Sequence, residues 1–224
     1  MKILAFDTST EACSVALAID GSVYDDLVLG QQHSSRILLM VDALLAEADL
    51  RLNQLDAVAF GRGPGLFTGL RIGTGVVQGL AFGADLPVVP VSSLAALAQA
   101  QDAAQVLTAV DARMSQVYWG AFTREANGML ELIGEESVAA PQAVPLPPAG
   151  CWRGVGSGWD RYADVLTKRL GARLESWLPA RYPHARDVAT LAAIDFQRGQ
   201  AVTPEQALPV YVRDQVVRKP GSSE

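Results

Sequence analysis

The chain has 224 residues, half of them hydrophobic and 19% charged, which excludes an intrinsically disordered polymer and supplies enough apolar material for one large domain or two small lobes. Its formal charge of −6 excludes binding to nucleic acid through bulk basicity. The charge is uneven: residues 1–110 hold 5 Lys/Arg against 11 Asp/Glu, whereas residues 111–224 hold 13 of each.

Lys2–Asp7 reads as a buried strand, and its apolar run is too short for a signal-peptide core. Cys13, Val15, Leu17 and Ile19 alternate along Ala12–Ile19, a second strand. Asp20-Gly21 is a two-residue hairpin signal, and Ser22–Leu29 returns as a third strand. A helix follows over about Ser34–Asp49, capped by Ser34 or Ser35. Asp56–Phe60 is a fourth strand, Thr68–Ala84 a second helix and Pro87–Val91 a fifth strand. Ser92 or Ser93 then caps a third helix to about Ala100. Asp85, Pro87 and Pro90 break the long apolar stretch from Val76 to Ala100, so it is not a membrane span. The order β-β-β-α-β-α-β-α predicts a mixed sheet, as in the ribonuclease-H-like lobe that actin-like ATPases use twice.

The second half echoes the first. Leu4–Asp7 and Ala12–Ala18 can be laid on Thr108–Asp111 and Gln116–Phe122 at a constant offset of 104. Either two β-hairpins resemble each other by chance, or the fold is duplicated and two Asp turns face a shared cleft. Ala139–Pro148, with four prolines, reads as a loop; Cys151–Val155 as a strand; Trp159–Leu170 and Arg186–Arg198 as helices. The expected division is a first lobe over 1–103, a second over 104–213 and a loose tail over 214–224.

Chemistry-bearing motifs are few. Asp7-Thr8-Ser9 closes the first strand, and Asp111 occupies the equivalent place in the echo. A strand-end carboxylate followed by hydroxyls suits phosphate and Mg²⁺, and it equally makes an ordinary Asx turn. The Gly61–Gly69 loop lacks the Lys-Ser/Thr of a Walker A motif. Gly65, Gly69 and Gly73 form one helical stripe, and Gly75, Gly79 and Gly83 another. Such stripes admit a close backbone, either the chain's own sheet or a partner helix. On the preceding helix, Ile37, Leu38, Met40, Val41, Leu44, Leu45 and Ala48 fill a core arc, while Leu39, Ala43, Ala46 and Leu50 form a second stripe opposite. That second stripe is either a contact for another chain or alanine-rich surface. His33 and His184 are the only histidines, far apart, with no H-x-x-x-H; His33 is expected at the start of the first helix. The adjacent acids Asp25-Asp26 and Glu135-Glu136 point to opposite faces of an extended chain and make no dyad. No G-x-S-x-G elbow or adjacent Cys–His pair exists, so no peptidase nucleophile is visible. Cys13 and Cys151 show no metal or redox spacing, as expected of a cytoplasmic chain with reduced thiols.

Taken together, Ala5-Phe6-Asp7-Thr8-Ser9-Thr10, His33-Ser34-Ser35, Gly61-Arg62-Gly63-Pro64-Gly65-Leu66-Phe67-Thr68-Gly69-Leu70-Arg71-Ile72-Gly73, Val91-Ser92-Ser93-Leu94 and Val110-Asp111-Ala112-Arg113 resemble the TsaB (YeaZ) family of tRNA threonylcarbamoyladenosine biosynthesis. The likeness covers residues 1–122 and returns at Pro209-Val210-Tyr211-Val212-Arg213. It implies an α/β, two-lobed actin-like ATPase (ribonuclease-H-like) fold with a mixed β-sheet and flanking helices in each lobe. It also implies a role in placing threonylcarbamoyl on N6 of adenosine 37 in tRNAs reading codons that begin with A. The family's transferase is the paralogue TsaD, which carries a metal-binding H-x-x-x-H; TsaB dimerises with it through the first two helices, and the ATPase TsaE joins them. Leu39, Ala43, Ala46, Leu50, Gly69, Arg71, Gly73, Gly75 and Gly79 are the expected partner interface. Asp7, Thr8, Ser9 and Asp111 would be a vestigial nucleotide turn, with no catalytic residue, no metal site and ATP/Mg only at a weak site. Without TsaD the exposed helix face is expected to form homodimers, and tRNA is reached only through the complex. The alternative is an autonomous actin-like nucleotide-binding enzyme.

Overall fold

The computed structural model describes residues 1–30, 33–125 and 128–213; the expected tail over 214–224 lies outside the described residues. In chain order the first sheet's elements are β1 (Lys2–Asp7), β2 (Ala12–Ile19), β3 (Ser22–Leu29), α1 (His33–Glu47), β4 (Ala57–Gly61), α2 (Phe67–Ala84), β5 (Val88–Val91) and α3 (Ser93–Gln99). The predicted boundaries agree to within two residues. Ser92 is the cap of α3: its hydroxyl accepts from the Leu94 and Ala95 amides, both at 3.1 Å. Ser34 and Ser35 lie inside α1 instead of capping it.

The sheet order is β3-β2-β1-β4-β5, antiparallel across the hairpins and parallel at β1-β4-β5. β1 is buried on both faces because two layers cover it. Leu4 and Phe6 pack with Ile37, Met40, Val41 and Leu44 of α1 and with Val77 and Ala81 of α2. Ile3 and Ala5 point the other way.

The second sheet holds β6 (Gln105–Asp111), β7 (Val117–Arg124), β8 (Leu130–Leu132), β9 (Ser137–Ala139), β10 (Trp152–Val155) and β11 (Leu174–Leu178). Its order is β11-β10-β6-β7-β8, with β9 also on β7, so it repeats the plan of the first sheet. The duplication expected from the echo is therefore present, with one correction. Asp7 pairs with Ser14, whereas Asp111 pairs with Val117. The offset is 104 in the first strand and 103 in the second, because the second Asp turn is one residue shorter. Trp119, Trp152 and Trp159 fill the core between this sheet and α4 (Gly158–Leu170).

The last helix, α5 (Ala185–Gln197), does not stay with the second sheet. Its Val188, Ala189 and Ala192 cover Ile3, Ala5, Ala57, Ala59, Val89 and Val91 of the first. Conversely, Leu94 and Leu97 of α3 pack on Val106, Val110 and Phe122 of the second sheet. A division at 103/104 thus separates the sheets, while α3 and α5 touch each other at the centre and tie the lobes together.

Candidate functional site

Asp7 ends β1 and is 1% exposed. One carboxylate oxygen accepts from the Ser9 amide at 2.8 Å and the Ser9 hydroxyl at 2.7 Å; the other accepts from the Ser93 hydroxyl at 2.7 Å. Three of its roughly four acceptor positions are filled by the chain itself. Gly61 closes the remaining side, since a Cβ there would lie 1.8 Å from the second oxygen. The turn therefore does not fit a magnesium-bound phosphate in this conformation: the carboxylate is covered and already bonded. The Thr8 hydroxyl likewise donates to the Gly69 carbonyl at 2.8 Å.

The same turn explains the first glycine stripe. A Cβ on Gly69 would lie 1.9 Å from the Thr8 carbonyl oxygen, and one on Gly73 would lie 2.5 Å from the Thr8 hydroxyl. Gly69 and Gly73, expected at a partner interface, are instead buried where α2 lies on the chain's own Asp7 turn. His33 sits at the start of α1 as expected, buried beside the Thr10 backbone, and burial lowers its pKa.

Asp111 has a different setting. Its carboxylate meets Arg113 at 3.3 Å and Arg161 at 3.6 Å, and accepts from the Arg113 amide at 2.9 Å. Arg113, Met114 and Ser115 all have left-handed φ, at 61°, 52° and 57°. Three such residues in succession cost roughly 1–2 kcal/mol each, so the surrounding bonds must hold the turn. Arg213 does so by donating to the Ala112 carbonyl at 3.1 Å and to Gln116 Oε1 at 2.6 Å. The segment before Arg213 crosses to the first lobe, where the Val210 amide donates to the Arg62 carbonyl at 2.8 Å. Tyr118 adds a second bridge, its hydroxyl donating to the Gly65 carbonyl at 3.1 Å. Two cavities, of about 210 and 410 Å³, flank the Leu66-Phe67 loop at this junction, and neither Asp7 nor Asp111 lines them. Arg71 stacks over Phe67 at 3.9 Å, and Phe67 faces Tyr211 at 5.6 Å between ring centres.

The outer face of α1 and α2 is the other distinctive surface. Leu39 is 62% exposed, and Ala43 and Ala46 stand beside it in the open. Nothing lies within 4 Å of where Cβ atoms would stand on Gly75, Gly79 and Gly83. Two expected positions move. Leu50 is half-buried against the first core, and Leu38, expected in the core arc, is 49% exposed. Phe82, which the sequence reading did not single out, is 75% exposed. Its signal was present: it lies three residues after Gly79 and seven after Gly75, on the same helical stripe.

Among the described residues no group of three or more His, Cys, Asp or Glu side chains is placed to hold a metal ion. Likewise, no described helix is long and apolar enough to cross a membrane.

The family model described as TsaD, tRNA N6-adenosine threonylcarbamoyltransferase, matches residues 28–151. The tRNA threonylcarbamoyladenosine biosynthesis protein TsaB of Escherichia coli is 44% identical, over 98% of this chain and 97% of its own. Its counterpart in Haemophilus influenzae is 41% identical, over 98% and 96%. The solved structure of YeaZ from Pseudomonas aeruginosa superposes with a TM-score of 0.87 at 46% identity, covering 94% of this chain and 99% of that one. Near-complete coverage in both directions, at this identity and with this superposition, means that the chain belongs to the TsaB (YeaZ) family.

Proposed function

We propose that this chain is a non-catalytic subunit in tRNA threonylcarbamoyladenosine synthesis, acting in the cytoplasm. In this reading it pairs with a TsaD-type transferase, works with the ATPase TsaE and reaches tRNA only through that assembly. The observation that carries the proposal is the outer α1/α2 face. Leu39, Ala43, Ala46, Gly75, Gly79 and Phe82 make a surface that is apolar or without side chains, where a solvated helix pair would carry charge. Two sequence facts support it: His33 and His184 are the only histidines, and no H-x-x-x-H exists. The relatives at 41–44% identity are named for this biosynthesis.

An autonomous actin-like nucleotide-binding enzyme would need an open carboxylate at the Asp7 turn. The three hydrogen bonds on that group weigh against it. Size-exclusion chromatography of the full chain with the TsaD paralogue from its own cells tests the proposal. A 1:1 complex is expected, and Ala43→Arg, which sets a charge at the centre of the face, is expected to abolish it. An undiminished complex with Ala43→Arg would remove the interface assignment. Heat release on titrating Mg²⁺-ATP into the chain alone would favour the enzyme reading.

A further inference from the structure

A third cavity, of about 310 Å³, opens where the ends of β4 and β5 meet the β7–β8 hairpin and the last turn of α5. That volume suits a small molecule. Its walls are mixed: the apolar side chains of Val91, Phe122, Leu130, Leu191 and Ile194 stand among polar groups. Four charged side chains also line it: Arg62, Glu136, Asp195 and Arg198. Two of these are engaged. Glu136 accepts a hydrogen bond from the Ser92 hydroxyl, and Arg198 reaches the Met129 sulfur. The other two are not: among the described residues, neither the Arg62 guanidinium nor the Asp195 carboxylate has an ion-pair or side-chain hydrogen-bond partner. Arg62 is near enough to act electrostatically on both Glu136 and Asp195, yet it bonds to neither. Burial raises the pKa of both carboxyls; the Ser92 hydroxyl and then Arg62 oppose the rise at Glu136, and Arg198 and then Arg62 oppose it at Asp195.

The charge pattern selects a ligand class. Two cations and two anions cancel, so a polyphosphate would face two carboxylates and a bare cation would face two guanidiniums. An unbonded cation and an unbonded anion beside apolar side chains match a molecule with the same charges reversed. We propose that this cavity binds a free α-amino acid with an apolar side chain. Arg62 receives the carboxylate through its planar fork, Asp195 receives the ammonium, and Phe122, Leu130, Leu191 and Ile194 enclose the side chain.

Isothermal titration of the full chain with L-leucine, N-acetyl-L-leucine and L-leucinamide tests this. Leucine is expected to bind, and each analogue, lacking one of the two charges, is expected to bind about tenfold more weakly or not at all, the loss of one charge-assisted contact. Arg62→Gln and Asp195→Asn are expected to lose leucine in the same way; should either fail to fold, the analogue series on the unaltered chain decides. Equal binding of the three compounds would overturn the proposal, as would no heat from leucine, isoleucine, methionine or phenylalanine at about 10 mM. The site owes nothing to partner binding: a chain that pairs with TsaD and takes up no amino acid overturns this inference alone.

Discussion

At the scale of single residues, glycine carries two opposite meanings within one helix. Gly69 lies under a carbonyl oxygen, while Gly79 faces open space. Adding one methyl group to each therefore has opposite effects. Gly69→Ala is expected to cost about 3 kcal/mol, because the Thr8 backbone cannot move aside. Gly79→Ala is expected to gain about 1 kcal/mol through helix propensity. Urea denaturation of the two variants measures both, and equal effects would contradict the packing described. A second residue, Asp187 in the first turn of α5, carries a pH effect. Burial raises its carboxyl from the ordinary 3.8 to about 6, with Arg186 opposing and Asp25 adding to the rise. The folded chain then binds this proton more tightly than the unfolded chain. The contribution is fully favourable below about pH 4 and is lost as pH rises through about 6. Asp187→Asn removes the titration, so the variant should match the parent near pH 4 and exceed it by on the order of 2 kcal/mol at pH 7. Stability curves that stay parallel from pH 4 to 7 would count against the buried carboxyl.

At the scale of elements, periodicity made most of the first lobe legible. The three-to-four spacing in α1 reports its buried side directly, because each side chain's direction follows from the local geometry. The alternation in β2 does not report two unlike faces, since α1 and α5 both pack on the strand and Ala12–Leu17 are all buried. The short strands β8, β9 and β11 were not legible: each has three to five residues, too few for a two-residue period to stand out. The two glycine stripes could be seen but not told apart, since the partner of the first is a turn some sixty residues earlier. Asp7 was legible as a strand-end carboxylate, whereas the hydroxyl that covers it, Ser93, comes from the distant start of α3. The outer α1/α2 face yields a further expectation. Phe82 is the most exposed large apolar side chain on it, so the isolated protein should self-associate through that face. Light scattering over a concentration series should show homodimers for the parent chain and monomers for Phe82→Asp. Dimers that persist in the variant would place self-association elsewhere.

Across the whole molecule, the two sheets are repeats of one plan, but neither lobe is closed by its own stretch of chain. The face of the first sheet formed by Ile3, Ala5, Ala57, Ala59, Val89 and Val91 is covered by α5. A fragment of residues 1–103 would leave that face in water. It is expected to aggregate, or to bind a hydrophobic dye such as anilinonaphthalene sulfonate strongly and to lack a cooperative melt. A soluble fragment that melts cooperatively would show that α5 is dispensable. This return of the chain also sets a schedule for its birth on the ribosome. Translation at about 5–20 residues per second needs roughly 5–20 s to go from the end of β5 to the end of α5. Throughout that interval the emerging first sheet has one greasy side with nothing to cover it. The nascent chain must therefore either shelter that side with a chaperone or delay its final collapse until nearly nine-tenths of the protein has been made.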